Sequence, residues 1–350
     1  MSQRVLLTGH TGYLGSVMSG MLLTAGYDVV GLDTDYFADC DLGAPPPVIP
    51  SLHVDVRDVS ARDLAGFDAV IHLANLCNDP LGDLNAGWTE DINFRGSVHL
   101  ATLAKQTGVQ RFVFASSCSM YGQAGDGLVD ETAPLAPLTP YAVSKVLTEQ
   151  ALTGLADANF SPVYMRNATA YGASPRLRLD IVLNNLVAWA CTTGKIRLMS
   201  DGSPWRPIVH AEDIARSCVA ILQAPREAVH NEAFNVGAPG ENYQVRQLAE
   251  IVQEVVPGCE VEFAVGASAD PRDYRVSFDK ITRTLPGFQP QWNARRGAEQ
   301  LYAAYRENGL KAEELQGKTY IRLGRLKHLI GTGQLDDTLR WVNREALVTG

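Results

Sequence analysis

The sequence predicts an α/β protein built on a doubly wound parallel sheet, followed by a smaller C-terminal α/β region. Two observations carry this. Short apolar runs alternate with amphipathic stretches through the first half of the chain. Three glycines, Gly9, Gly12 and Gly15, fall between the first apolar run and the first amphipathic stretch. Strands buried on both faces read as continuous apolar runs, and strands alternating with helices give a parallel sheet.

Taken in order, RVLLT, DVVGL, AVIHLA and RFVFAS read as buried strands, and 13–26 and 85–108 as helices between them. The segment GAPPPVIP, 43–50, is a loop, because proline and glycine punctuate it. After about residue 170 the rhythm loosens. A helix is expected over 179–193, a strand at KIRLM (195–199), a helix in HAEDIARSCVAILQ and a strand at AFNVG. NYQVRQLAEIVQEVV reads as a helix, GCEVEFAV as a strand and 294–308 as a last helix. Near the end, Arg322, Arg325, Lys327 and His328 recur at roughly helical spacing and read as a solvated helix face.

The bulk numbers exclude several classes of function. The chain has 350 residues, 46% of them hydrophobic, enough for a full core. A net charge of −9 with no long basic run argues against a nucleic-acid partner. Cys40, Cys77, Cys118, Cys191, Cys218 and Cys259 are scattered, with no CxxC pair and no metal-ligand spacing. They read as reduced thiols of a cytoplasmic protein without a metal site. The N-terminus lacks the pattern of a signal peptide. No apolar run reaches the ~18 residues that span a bilayer, so no membrane partner is expected.

The segment LLTGHTGYLGS places its glycines where a strand turns into a helix. Glycines there let the backbone turn tightly and approach a pyrophosphate, while the helix N-terminus offers N–H groups and partial positive charge. Asp33 ends the second strand, 24 residues after Gly9. A carboxylate at that point accepts hydrogen bonds from both ribose hydroxyls of NAD and repels the extra phosphate of NADP. The expected cofactor is NAD.

A second signal lies in TPYAVSK, 139–145. Thr139 suits an N-cap and Pro140 the first helical position. Tyr141 and Lys145 then share one helix face. A phenol has a pKa near ~10, and a neighbouring ammonium lowers it, making a general base for a hydroxyl proton. The strand in FASSCSMYG brings Ser117 to its C-terminal end, over the crevice where such sheets bind ligands.

These motifs together resemble the extended short-chain dehydrogenase/reductase family, in particular its nucleotide-sugar epimerases and dehydratases. The likeness runs from residue 4 to about 308. It rests on GxxGxxG at 9–15, Asp33, VDVRD at 54–58, HLAN at 72–75, NFRGS at 93–97, SSCSMYG at 116–122 and YAVSK at 141–145. The resemblance implies a Rossmann-like NAD-binding domain over 1–170 and a mainly nucleotide-sugar-binding region over 171–310, some of whose segments return to the first sheet. An extension of unread role follows over 311–350. Ser117, Tyr141 and Lys145 would be catalytic, with Lys145 also holding the nicotinamide ribose. Tyr13, Leu14, Asp55, Val56, Leu73, Ala74, Asn75 and Asn93 would join the glycines and Asp33 around NAD. Asn167, Asn185 in LNNL, Arg206 in WRPIVHAEDIA, and Arg272 and Asp273 in DPRDYRVSFDK would meet the nucleotide-diphosphate sugar. A homodimer is implied, packing helices around 85–108 and 141–158 into a four-helix bundle.

Departures from the family pattern narrow the chemistry. The 4,6-dehydratases carry an Asp-Glu pair just after the catalytic Ser or Thr, where this chain has Cys118 and Ser119. Serine is too weak an acid or base for that task. Cys118 fits either a buried space-filling thiol or a second proton donor. Thr169 stands where the family often has Asn, and His10, Cys77, Asn78 and Asp79 are open to either a loop or a sugar-pocket reading. The expected activity is NAD-dependent epimerisation of a nucleotide sugar at C4. The alternatives are dehydration, epimerisation at C3 or C5, net redox chemistry, or a non-catalytic NAD sensor.

Overall fold

The structure is a computed structural model that describes residues 2–77, 85–198, 200–263 and 273–343. Its centre is a seven-stranded, wholly parallel sheet. In chain order the strands are β1 (Arg4–Thr8), β2 (Asp28–Leu32), β3 (Ser51–Leu52), β4 (Ala69–His72), β5 (Arg111–Ser117), β7 (Ser161–Asn167) and β11 (Glu232–Val236). Across the sheet the order is β11-β7-β5-β4-β1-β2-β3. The chain winds outward one way from β1 and the other way from β4, so the switch point lies between them. A ligand crevice is expected at the carboxyl ends of those two strands.

Alternation along the strands fills two cores. Val5 and Leu7 face one layer, with Val113, Val163 and Met165. Leu6 faces the other, with Val70, Phe112 and Phe114. All nine are fully buried, which is why these strands read as unbroken apolar runs. Helix α1 (Tyr13–Thr24) packs against α5 (Ala211–Gln223) on one side of the sheet. On the other side the chain from Ala86 to Gln106 is helical but not uniform. A π-helical stretch, Glu90–Gly96, separates a short α-turn from α2 (Ser97–Gln106). Gly96 lies so close to the β3–β4 connection that a Cβ would meet Val56 Cγ1 at 3.0 Å.

The C-terminal half builds three small sheets. β10 (Trp205–His210) pairs with β8 (Thr169–Tyr171) and β12 (Asn242–Gln244), β9 (Lys195–Leu198) with β13 (Glu260–Phe263), and β6 (Gln123–Val129) with β14 (Asp273–Val276). Helices α4 (Val182–Thr193), α6 (Val245–Val255) and α7 (Ala294–Glu307) share a third core that includes Leu183, Leu248 and Leu301. β11 lies beyond this point in the chain yet returns to the main sheet beside β7. α4 begins at Val182, later than the sequence pattern suggested, and residues 178–181, outside the helix, line the crevice.

The basic segment near the end is helical, as α8 (Arg322–Gly331), but it is not a solvated face. Arg322 is 1% exposed, and Leu326 and Leu329 are fully buried. Those residues, spaced by four and three, define the face that packs inward, and the Arg322 guanidinium lies 4.2 Å over the Phe37 ring. Only the Lys327 side of the helix is exposed. Residues 332–343 fold back over the β2 and β3 edge. Tyr36 donates to the Leu339 carbonyl, Trp341 Nε1 donates to Thr34 O (2.6 Å), and Arg57 Nη1 donates to Thr338 O (2.8 Å).

Candidate active site

At the switch point lies a cavity of about 780 Å³. The turn after β1 forms its floor. Gly9 has φ +74°, and a Cβ on it would meet Ala74 N at 2.8 Å, so the two strand-end turns touch only because Gly9 has no side chain. A Cβ on Gly15 would fall 2.1 Å from Gly9 O. The turn is closed by Gly12 N donating to Gly9 O (3.0 Å). Gly12 is the N-cap of α1 and supplies no side-chain cap, and the first turn of α1 holds no acidic residue. The first turn of α1 thus offers N–H groups and partial positive charge to the cavity with no acidic residue of its own.

Asp33 lines the same cavity at the end of β2. Its carboxylate accepts from the backbone N–H groups of Thr11 (3.1 Å), Thr34 (2.8 Å) and Asp35 (3.1 Å). That anchoring fixes the carboxylate beside the glycine turn. Tyr13, Leu14, Asp55, Val56, Leu73, Ala74 and Asn75 also line the cavity. The glycine cradle, the free helix terminus and the fixed carboxylate together fit a dinucleotide. Asn93 does not line it. Asn93 is fully buried and clamps the wall from behind, accepting from Leu76 N (2.7 Å) and donating to Leu76 O (2.9 Å).

Ser117, Tyr141 and Lys145 all line the cavity. Ser117 ends β5, and its Oγ accepts from Ser119 N (3.2 Å). Tyr141 and Lys145 sit in the first turns of α3 (Pro140–Leu155), whose N-cap Thr139 accepts from Ala142 N (3.2 Å) with Pro140 at the first helical position. The Lys145 ammonium is 2% exposed. It donates to Ala115 O (2.6 Å) and Asn75 Oδ1 (3.0 Å). Burial lowers its pKa to about 7, against the opposing pull of Cys77 and Glu149. Beneath it, His72 bridges Thr8 Oγ1 and Ser97 Oγ at 2.7 Å each, and burial drives its pKa down to about 3, so the ring is neutral.

The substrate-side expectations divide. Ser119, Asn167, Asn185 and Arg206 line the cavity. The Ser119 hydroxyl and the Asn167 Oδ1 are buried with no hydrogen-bond partner among the described residues. Asn185 Nδ2 donates to Leu179 O (2.9 Å), and Arg206 Nη1 to Trp205 O (2.7 Å). Cys118 is not a wall residue. It is fully buried, its thiol donates to Arg166 O (3.0 Å), and burial pushes its pKa up, so it fills space and has no proton-donor role at the crevice. Asp273 also lies behind the wall, because its carboxylate accepts from Trp205 N (2.8 Å), and Tyr274 lines the cavity in its stead. Arg272, Asn78 and Asp79 fall outside the described residues. Cys77 lines the cavity, whereas His10 is buried under Gly31.

Sequence reasoning missed other wall residues. Arg178, Asp180, Arg197 and Arg322 all line the cavity. Asn184 was missed too. It is fully buried and orders the approach to α4, accepting from Gly172 N (3.0 Å) and donating to Arg178 O (3.1 Å). Of the doubled Asn in LNNL, Asn185, named from the sequence, lines the cavity, and Asn184 lies behind it.

Comparison with known proteins fits this geometry. The profile of the NAD dependent epimerase/dehydratase family matches residues 5–237. The UDP-glucose 4-epimerase of Corynebacterium glutamicum is 29% identical over 309 residues, covering 82% of this chain and 91% of that protein. Among solved structures, TunA, a NAD dependent NDP-hexosamine 5,6-dehydratase, superposes with a TM-score of 0.78 at 25% identity, over 87% of this chain and 98% of that one. DesIV, a dTDP-glucose 4,6-dehydratase from Streptomyces venezuelae with NAD bound, gives 0.77 at 27% identity, over 90% of this chain and all of that one. This chain is an enzyme of the NAD dependent epimerase/dehydratase family, and NAD is its cofactor.

Proposed function

We propose that the enzyme epimerises a nucleotide-diphosphate sugar at C4. The observation that carries this is the convergence of Ser117, Tyr141 and Lys145 on one cavity wall, with no acid–base pair after the serine. NAD, when bound, takes a hydride from the sugar carbon and later returns it. Tyr141, made acidic by the Lys145 ammonium, removes the proton of the C4 hydroxyl. Ser117 holds the same oxygen by a hydrogen bond. The resulting 4-keto sugar turns in the cavity, and Tyr141 returns the proton after reduction from the other face. Arg206 and Asn185 hold the nucleotide diphosphate during the turn. Hydride and proton return to the same carbon and oxygen, so the reaction is redox neutral.

Dehydration is disfavoured because positions 118 and 119 are Cys and Ser, and Cys118 is sealed from the cavity. The test is to incubate the protein with UDP-, TDP-, GDP- and CDP-sugars in deuterated water and follow products by NMR. Inversion at C4 alone is expected. Solvent deuterium at C3 or C5, or lasting absorbance at 340 nm, would refute the reading.

We further propose a cytoplasmic homodimer. Support comes from Val143 and Leu147, 39% and 38% exposed and four residues apart on α3, and from cysteines that are all free. A second copy covering that face would bury both. Light scattering that gives a monomer would reject it.

A further inference from the structure

Arg322 reaches the crevice from α8, well beyond the residues matched by the family profile. Its side chain is an incomplete ion site. It is 1% exposed, Nη2 donates to Arg176 O (3.1 Å), and Cζ lies over Phe37. Nη1 is buried and has no hydrogen-bond partner among the described residues. Arg178 stands beside it on the same wall, paired with Asp180 at 2.9 Å, and both side chains are nearly buried. Two guanidinium groups and one carboxylate leave one positive charge uncompensated. Burial, and then the Arg178 charge, lower the Arg322 pKa to about 10, which still leaves the buried guanidinium charged at neutral pH. A buried donor without a partner is costly, and a buried cation more so.

We propose that Arg322, with Arg178, binds an oxyanion carried by a ligand in the crevice: the carboxylate of an acidic sugar, or a phosphate of the cofactor or nucleotide. The inference rests on the reading of the crevice as the seat of NAD and a nucleotide sugar. A planar fork with a free Nη1 suits a carboxylate or phosphate oxygen and has nothing to offer a neutral hydroxyl that water does not match.

The test titrates the native protein and Arg322→Leu with NAD, UDP-glucose and UDP-glucuronate by calorimetry, the sugars in the presence of NAD. The variant is expected to weaken at least one ligand by about tenfold or more. A loss confined to UDP-glucuronate places the oxyanion on the sugar. A loss for NAD places it on the cofactor diphosphate, and an equal loss for both sugars places it on the nucleotide diphosphate. If Arg322→Leu does not fold by circular dichroism, Arg322→Lys carries the test, since it keeps the buried charge and loses the fork. Affinities all within about twofold of native overturn the inference. A native protein that binds none of the three overturns this inference and the epimerase reading together.

Discussion

The Lys145 ammonium lies 5.5 Å from the centroid of the Tyr141 ring, buried beside it and hydrogen-bonded to the Ala115 carbonyl at the end of β5. The lysine is thus held by the strand that presents Ser117. Tyr141→Phe removes the proposed base and keeps the ring beside Lys145. Its turnover should fall by roughly 10²–10⁴-fold, with NAD content unchanged. NMR of sugar interconversion and a cofactor assay check both halves, and full activity in the variant would reject Tyr141 as the base.

Lys145 also ties stability to pH. Its folded pKa is lowered to about 7, while the unfolded chain keeps the ordinary value of 10.5. Between those values the unfolded chain binds more protons, so stability of the ligand-free protein rises with pH. Below about 7 the full penalty of the buried charge is present. The slope approaches about 1.4 kcal/mol per pH unit inside that window. Urea unfolding of native protein and Lys145→Met should show this rise in the native protein and not in the variant.

Asp33 is fixed by three backbone N–H groups before any ligand arrives. Asp33→Ala should therefore weaken NAD by roughly 10–100-fold, the worth of hydrogen bonds to a charged group. It should also narrow the preference for NAD over NADP. Fluorescence titration with both cofactors measures it.

Two glycines offer a matched comparison. A Cβ on Gly15 would collide with the Gly9 carbonyl, whereas around Gly26, at φ +87°, nothing lies within 4 Å. Gly15→Ala should abolish NAD binding and cost at least about 1–3 kcal/mol through overpacking. Gly26→Ala should cost about 1 kcal/mol of backbone strain and leave binding unchanged. Thermal unfolding with and without NAD separates the two.

Behind the site, Arg166 on β7 meets Glu149 on α3 at 2.7 Å, with both side chains nine-tenths buried. Removing one partner leaves the other charge buried. Glu149→Ala should destabilise by about 3–5 kcal/mol, and the double variant Glu149→Ala/Arg166→Met by less. Chemical denaturation checks the order.

The sequence by itself determined the sheet, the glycine turn and the cluster of Ser117, Tyr141 and Lys145. Each depends on local rules: continuous apolar runs for buried strands, glycine where backbone meets backbone, and four-residue spacing for one helix face. Asp33, Ser117, Tyr141 and Lys145 were legible because each stands at the end of a strand or the start of a helix, where the chain's direction fixes where a side chain points. Only the tertiary structure decided the rest of the wall. Cys118 directly follows Ser117 yet turns into the core, Asp273 is taken up by a backbone N–H from β10, and Arg322 crosses from α8 to the cavity. Their roles depend on which distant segment packs against them, and that is set by burial of the whole chain rather than by spacing along it.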